Sequence, residues 1–364
     1  MASGAGGQIA FHKAGSLFHI VNSAIFWTNF TSESIEHNLE ELEEGSITGH
    51  RDAPPSHKGV DFGQGDIVME PNPNALGLYL NAAMGTRSSS LITDAASTGA
   101  NSGFDAGKPQ FHHTFTPRAS AYSDRVFLAP HNVMVYKDVG SAFMFNGAIF
   151  PGLEFQLQAG QLVQATANIM ARDVRRIDRL TVASLVSSGG RPWTWDMASL
   201  EIGTSITSAS LAGNTKFESL TLGLTTPHEG VLLLDGTKQY GEMQMNDFRR
   251  VAISGTLSFR DQTDYDAFTT YEARRMRLTM MNVNSNLSLG NVASQDAAAF
   301  LGYYGLRIHV PRMKLLTWSA PIQGPNRLVA NFTAKAERDP NENNTLITVE
   351  LVNVISGATY DLSA

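Results

Sequence analysis

Residues able to do acid–base, metal or binding chemistry are few and scattered in this 364-residue chain. Histidines cluster once, at His112-His113, with His50 and His57 upstream. On a strand, adjacent side chains point to opposite faces, so the pair cannot easily chelate one ion. Polar residues at a loop edge are the simpler reading. Glu43 and Glu44 are adjacent carboxylates, but they lie in a run of charge, not in apolar surroundings that would raise a pKa. Trp193 and Trp195 flank Thr194 and share a face if extended. Such a pair can stack on a sugar ring, or, more simply, pack a junction between domains. No G-x-x-x-x-G-K-[ST], G-x-G-x-x-G at a strand end, H-E-x-x-H or G-x-S-x-G occurs. The sequence therefore assigns no catalytic, cofactor-binding or metal-ligating residue, and no cofactor.

Composition narrows the classes further. The chain has no cysteine, which removes disulfide frameworks, zinc ribbons, thiolate nucleophiles and iron–sulfur ligation. Lys and Arg number 27 against 34 Asp and Glu, a net charge of −7 with no basic cluster. A tight nucleic-acid binder needs cations against phosphates, so that class is disfavoured. Apolar content is ordinary at 42%, while charged content is only 17%, against roughly 25% in soluble domains. A surface so poor in charge is more often covered by partners, the first sign of an assembly subunit. Leu17–Trp27 is apolar but carries His19, Asn22 and Ser23 and lacks a basic leader, which argues against a signal peptide.

The elements that would position any site read mainly as strands. Short apolar or alternating runs are Phe143–Phe145, Ala148–Leu157, Leu162–Met170, Ser199–Ile206, Leu220–Leu224, Ala252–Phe259, Met276–Met281, Leu306–Val310, Met313–Trp318, Leu328–Ala334 and Thr345–Val354. Two helices interrupt them. The first begins at Asn72-Pro73-Asn74 with an Asn cap, and Gly85 closes it; the second spans about Thr263–Arg275, with Asp261 or Thr263 as cap. Ser32–Glu44 fits either period, and its six Glu residues form a solvated face. Thr86–Pro117 is rich in Ser, Thr, Gly and Asn and reads as a long loop of about thirty residues.

A repeat emerges from these elements. Gly65-Asp-Ile67-Val-Met69, a turn and a helix match Gly255-Thr-Leu257-Ser-Phe259, a turn and a helix, at an offset of 190. Gly160-Gln-Leu162-Val163 with Thr166-Ala167 matches Asn326-Arg-Leu328-Val329 with Thr333-Ala334, at an offset of 166–167. The common order predicts two similar domains, 1–185 and 186–364, each a β-sandwich or β-barrel with one flanking helix, the first carrying the 86–117 loop.

The chain resembles the tail tube (major tail) proteins of long-tailed bacteriophages. The resemblance rests on Ser34-Ile-Glu-His-Asn-Leu-Glu-Glu-Leu with Gly49-His-Arg51-Asp-Ala-Pro54-Pro55, and on Gly65-Asp-Ile-Val-Met-Glu70-Pro71 with Ala75–Gly85. Phe145-Asn-Gly147-Ala-Ile-Phe-Pro-Gly-Leu-Glu-Phe-Gln-Leu with Gly160-Gln-Leu-Val completes it. It implies a non-enzymatic virion protein, assembled in the host bacterial cytoplasm, whose sheets join edge to edge around a lumen that passes double-stranded DNA. A duplicated chain then implies a homotrimer with six similar domains, stacked as rings, with tape-measure, tail terminator and distal tail proteins as partners and no membrane. An acidic lumen would keep DNA from sticking. The alternative class is a secreted β-sandwich adhesin or carbohydrate-binding module, which needs a discrete aromatic platform. An enzyme on a β scaffold needs paired carboxylates in an apolar cleft.

Overall fold

A computed structural model describes residues 6–16, 19–46, 52–92, 110–118, 128–178, 191–203, 217–259, 262–282, 304–322, 327–342 and 345–360. The described chain is mainly β, with two helices. The boundary expected at 185/186 lies outside the described residues, as do His50 and Asp261.

The first half runs β1 (Gln8–Ser16), β2 (His19–Thr28), β3 (Ser32–Glu33), β4 (Glu36–Glu43), β5 (Ser56–Met69), α1 (Pro73–Met84), β6 (Gly85–Leu91), β7 (Phe111–Pro117), β8 (His131–Tyr136), β9 (Ala142–Gln158), β10 (Gln164–Ala171) and β11 (Asp173–Ile177). The second runs β12 (Ala198–Gly203), β13 (Phe217–Thr225), β14 (His228–Val231), β15 (Glu242–Met245), β16 (Arg250–Ser258), α2 (Thr263–Thr269), β17 (Arg274–Asn282), β18 (Tyr304–Ser319), β19 (Val329–Ala336) and β20 (Thr348–Asn353).

Helix α1 forms where the local chemistry places it. Asn72 Oδ1 accepts the Asn74 N–H, Pro73 occupies the first turn where no N–H is needed, and Gly85 closes the helix at φ 78°. Eleven of its residues are buried. Helix α2 is shorter than the sequence predicts. Tyr271 adopts φ 52°, which ends the turn, and Arg274 already begins β17. Gln262 precedes the helix and makes no side-chain cap.

Two other expectations are corrected and one open reading is resolved. Phe143–Phe145 and Ala148–Leu157 are one strand, β9, as Leu306–Val310 and Met313–Trp318 are one strand, β18. The apparent breaks mark where each strand changes partners. In β9, Gly147 sits at φ 60° between the part paired with β8 and β11 and the part paired with β10 and β13. In β18 the change falls around Pro311–Met313: β20 pairing has ended, β17 pairing ends at Met313, and β19 pairing begins there. Ser32–Glu44 is strand, not helix, and its glutamates are exposed apart from half-buried Glu33. Finally, 86–117 is not all loop, because its ends pair as the β6–β7 hairpin and β7 also pairs with β20. Phe115 and His113 are fully buried on that strand, so its Ser/Thr-rich partner hides a core element.

Pairing order repeats between the halves. β5–β10–β9 and β16–β19–β18 are consecutive, each with its helix following β5 or β16. β1–β8–β9–β11 and β12–β17–β18–β20 are likewise consecutive. A Cβ on Gly65 would lie 2.4 Å from the Ser34 carbonyl oxygen, and one on Gly255 would lie 2.5 Å from that of Ser219. Both positions need a glycine for the same reason, a close approach by the preceding strand. One apolar core runs through both halves, from Ile67, Leu76 and Phe155 to Leu222, Ile253 and Phe332.

Candidate functional site

The residues singled out from the sequence do not converge. His112 and His113 lie on β7 and point apart. His113 Nε2 donates toward Ile355 O at 3.0 Å and Asn353 Oδ1 at 3.2 Å, while Nδ1 faces Ser89 Oγ at 2.8 Å. Burial lowers its pKa to about 4, so it is a neutral core residue and not a loop-edge one. His112 faces Glu350 at 4.0 Å. Burial pushes the Glu350 carboxyl up, but its partners His112 and Arg307 together hold it below its ordinary value. Glu350 also belongs to a paired row, with Arg307 at 2.9 Å and Arg277 on Glu201 at 2.6 Å. His57 is exposed beside Glu44, and Glu43 pairs across to Ser56 on the same arm. Among the described residues no group of three or more His, Asp or Glu is placed to hold a metal ion.

Trp193 and Trp195 also separate. Trp193 is fully buried, and its carbonyl accepts the Val163 N–H; Trp195 is half exposed on a single 3-10 turn. The strip 193–195 thus packs along 161–163 at the junction of the halves. Trp195 borders a groove of about 400 Å³ with Leu157, Leu200 and Phe217. The paired aromatic platform that a sugar-binding module needs is not formed.

A larger feature has no counterpart among single residues. β13 pairs with β9 on one side and β16 on the other, so β5, β10, β9, β13, β16, β19 and the end of β18 form one uninterrupted sheet. Its inner face supplies Ala165, Phe155, Leu222, Ile253 and Ala334 to the core. Its other face carries a cross-strand rank of Gln164, Gln156, Thr221, Ser254, Thr333 and Thr317, without a charge. The neighbouring rank holds Val68, Thr166, Glu154, Gly223, Ala252, Lys335 and Lys314. Glu36, Glu40, Glu41, Glu43 and Glu44 form a run of exposed carboxylates on the β4–β5 arm, where Leu39 and Leu42 are also exposed, at 57% and 58%.

Sheets joined across halves, with surfaces made of strand edges and ranks of hydroxyls and amides in place of a reactive pocket, define a class: a structural assembly subunit. The chain belongs to the phage tail tube protein family, whose model matches residues 11–356. It is therefore a structural component of the virion tail. Comparison with curated proteins gives no match.

Proposed function

We propose that this tail tube protein consists of two copies of one tube domain, about 1–185 and 186–364, and that three chains close a ring of six similar domains. Rings stack into a tube that passes double-stranded genomic DNA during ejection, with tape-measure, terminator and distal tail proteins at its ends and assembly in the host cytoplasm. The chain performs no catalysis and needs no cofactor or metal. The observation that carries this reading is the edge-to-edge β9–β13 pairing between halves whose strand order repeats. A sheet that already adds domain to domain within one chain leaves no exposed edge at that seam.

The same reading assigns the polar face of the joined sheet to the lumen. One full rank of it is neutral, so along that rank DNA slides because no cation meets its phosphates, not because a dense acidic wall repels it. This replaces the acidic lumen that the net charge suggests, since the rank Gln164, Gln156, Thr221, Ser254, Thr333 and Thr317 carries no carboxylate. Electron cryomicroscopy of tubes, reconstructed without imposed symmetry, tests both points. The expected map has three chains per ring with a nearly six-fold inner barrel lined by Gln156, Thr221 and Thr333. Six chains per ring, with the second half outside the barrel wall, would refute it.

A further inference from the structure

We propose that His37–Glu40 of one copy pairs antiparallel with Ser319–Ile322 at the end of β18 of a second copy, in the register of the β13–β9 seam inside the chain. The proposal rests on the tube reading above. Its basis is a residue-by-residue correspondence. Glu36, His37, Asn38 and Leu39 face Gln64, Gly63, Phe62 and Asp61, while Thr221, Leu222, Gly223 and Leu224 face Ser254, Ile253, Ala252 and Val251. Ser34 and Ser219 meet the equivalent glycines, Gly65 and Gly255. On the other strand, Gly152 faces Asn168 as Ser319 faces Asn331. Ile169 and Phe332 in turn face Gly65 and Gly255.

β13 uses its far edge to bind Leu153–Gln158 of β9. Among the described residues β4 pairs only with β5, and Lys314–Ser319 only with β19. Both edges are therefore open where their internal counterparts are joined. The side chains agree. Leu224 is 5% exposed at the internal seam, whereas Leu39 is 57% exposed; Phe155 is 2% exposed, whereas Ile322, the counterpart in this register, is 84% exposed. Pairing covers Leu39 against Ala320 and His37 against Ile322. Pro321 does not interfere. The Thr226 N–H binds Pro151 O, so bonded pairs alternate through Leu224–Leu153 and Leu222–Phe155, and Glu154, the counterpart of Pro321, turns its N–H away from the seam.

In the single chain the open edge carries a charged cap. The Ile35 N–H donates to Glu33 Oε2 at 2.9 Å and its carbonyl accepts from Lys137 Nζ at 3.2 Å, while Lys137 and Glu33 pair at 3.1 Å. Ile35 corresponds to Leu220, whose outward backbone groups serve the internal seam. The ion pair therefore caps the backbone just before His37–Glu40, whose own edge stays open to the neighbour's strand.

The absence of cysteine makes the register readable by cross-linking in the full chain. Glu40 and Ser319 correspond to Thr225 and Gly152, a non-bonded antiparallel pair with Cα atoms about 4.5 Å apart, within disulfide reach. Tubes carrying both Glu40→Cys and Ser319→Cys are oxidised and run on a non-reducing gel, beside Glu36→Cys with Ser319→Cys, which is four residues out of register, about 13 Å. The matched pair is expected to give covalent dimers and trimers, and the shifted pair monomers. Mixed tubes of the two single variants, each nearly wild type, are expected to give dimers only. Normal tubes without matched cross-links, or with cross-links in the shifted pair, overturn the seam alone. Failure of the cysteine-free parent to form tubes overturns the tube reading, and the seam with it.

Discussion

Asn353 ties the end of the second half to the helix of the first, and its removal gives a sharp test of how the halves cohere. The side chain is fully buried. Its Nδ2 donates to Pro73 O at 2.8 Å and Tyr360 Oη at 2.7 Å; its Oδ1 accepts from Ile355 N at 2.9 Å and His113 Nε2 at 3.2 Å. In Asn353→Ala, Tyr360 still donates to Asn74 O and His113 still reaches Ile355 O. The Ile355 N–H loses its side-chain acceptor. Four bonds at a net ~1 kcal/mol each, part of it recovered by the surviving contacts, give a loss of about 3–4 kcal/mol. At ~2.1 cal/mol/K per residue, cooperative unfolding of the whole chain has an entropy near ~0.76 kcal/mol/K, so the melting temperature falls by about 4–5 °C. The assay is calorimetry of the unassembled subunit. Because the contact joins both halves, the shift belongs to one shared transition. Asn353→Asp is expected to be no better, since a carboxylate cannot donate to Pro73 and is costly to bury. A fall under about 1 °C, or wild-type behaviour of Asn353→Asp, would refute the reasoning.

Gly65→Ala and Gly255→Ala should each cost about 2–3 kcal/mol, because each methyl meets a serine carbonyl at 2.4–2.5 Å. Gly223→Ala, with nothing nearer than 3.5 Å, should be close to neutral in the same thermal melts. Replacing 86–117 by a short Gly/Ser linker should yield insoluble protein by removing β7 and the burial of Phe115; a soluble, cooperatively melting product would contradict the role given to β7. Burial lowers the pKa of His12, His113 and His131 to about 4, below the unfolded value of ~6.5. Each therefore supports folding fully above pH ~6.5, and stability falls by up to about 3 kcal/mol per histidine toward pH 4, as the unfolded chain takes up the protons first. Urea titrations of the subunit at pH 7, 5.5 and 4.5 measure this, and a flat midpoint would exclude it.

How much was legible depends on the kind of signal each residue carries. Helix α1 was readable because Asn72, Pro73 and Gly85 each meet a stereochemical requirement that few other residues meet. The solvated face of Ser32–Glu44 was readable too, though its period was not, since either structure exposes the glutamates. Strand β8 left no alternating trace because all six of its residues are buried. Strand β6 was hidden by Ser88-Ser89-Ser90, whose composition suggests a loop although they pair with Thr114, His113 and His112. The β9–β13 seam was invisible for a different reason: it is a pairing between segments some sixty residues apart, and neither strand marks its partner.

The two repeat matches make the same distinction quantitative. Aligning Gly65 with Gly255 places both against equivalent serines, Ser34 and Ser219, so the offset of 190 agrees with the pairing. The match of Thr166-Ala167 with Thr333-Ala334 does not. With the two glycines aligned, Gly65 faces Ile169 and Gly255 faces Phe332, which sets Ala167 opposite Ala330 and makes the offset 163. The sequence match is displaced by four residues at its Thr-Ala pair. A strand's side chains repeat every two residues, so a slip of four returns every residue to the same face and leaves the alternation intact. Small apolar residues at alternate positions, as in Ala165, Ala167 and Ala171, cannot expose such a slip. A glycine can, because one neighbouring carbonyl is close enough to forbid any other side chain.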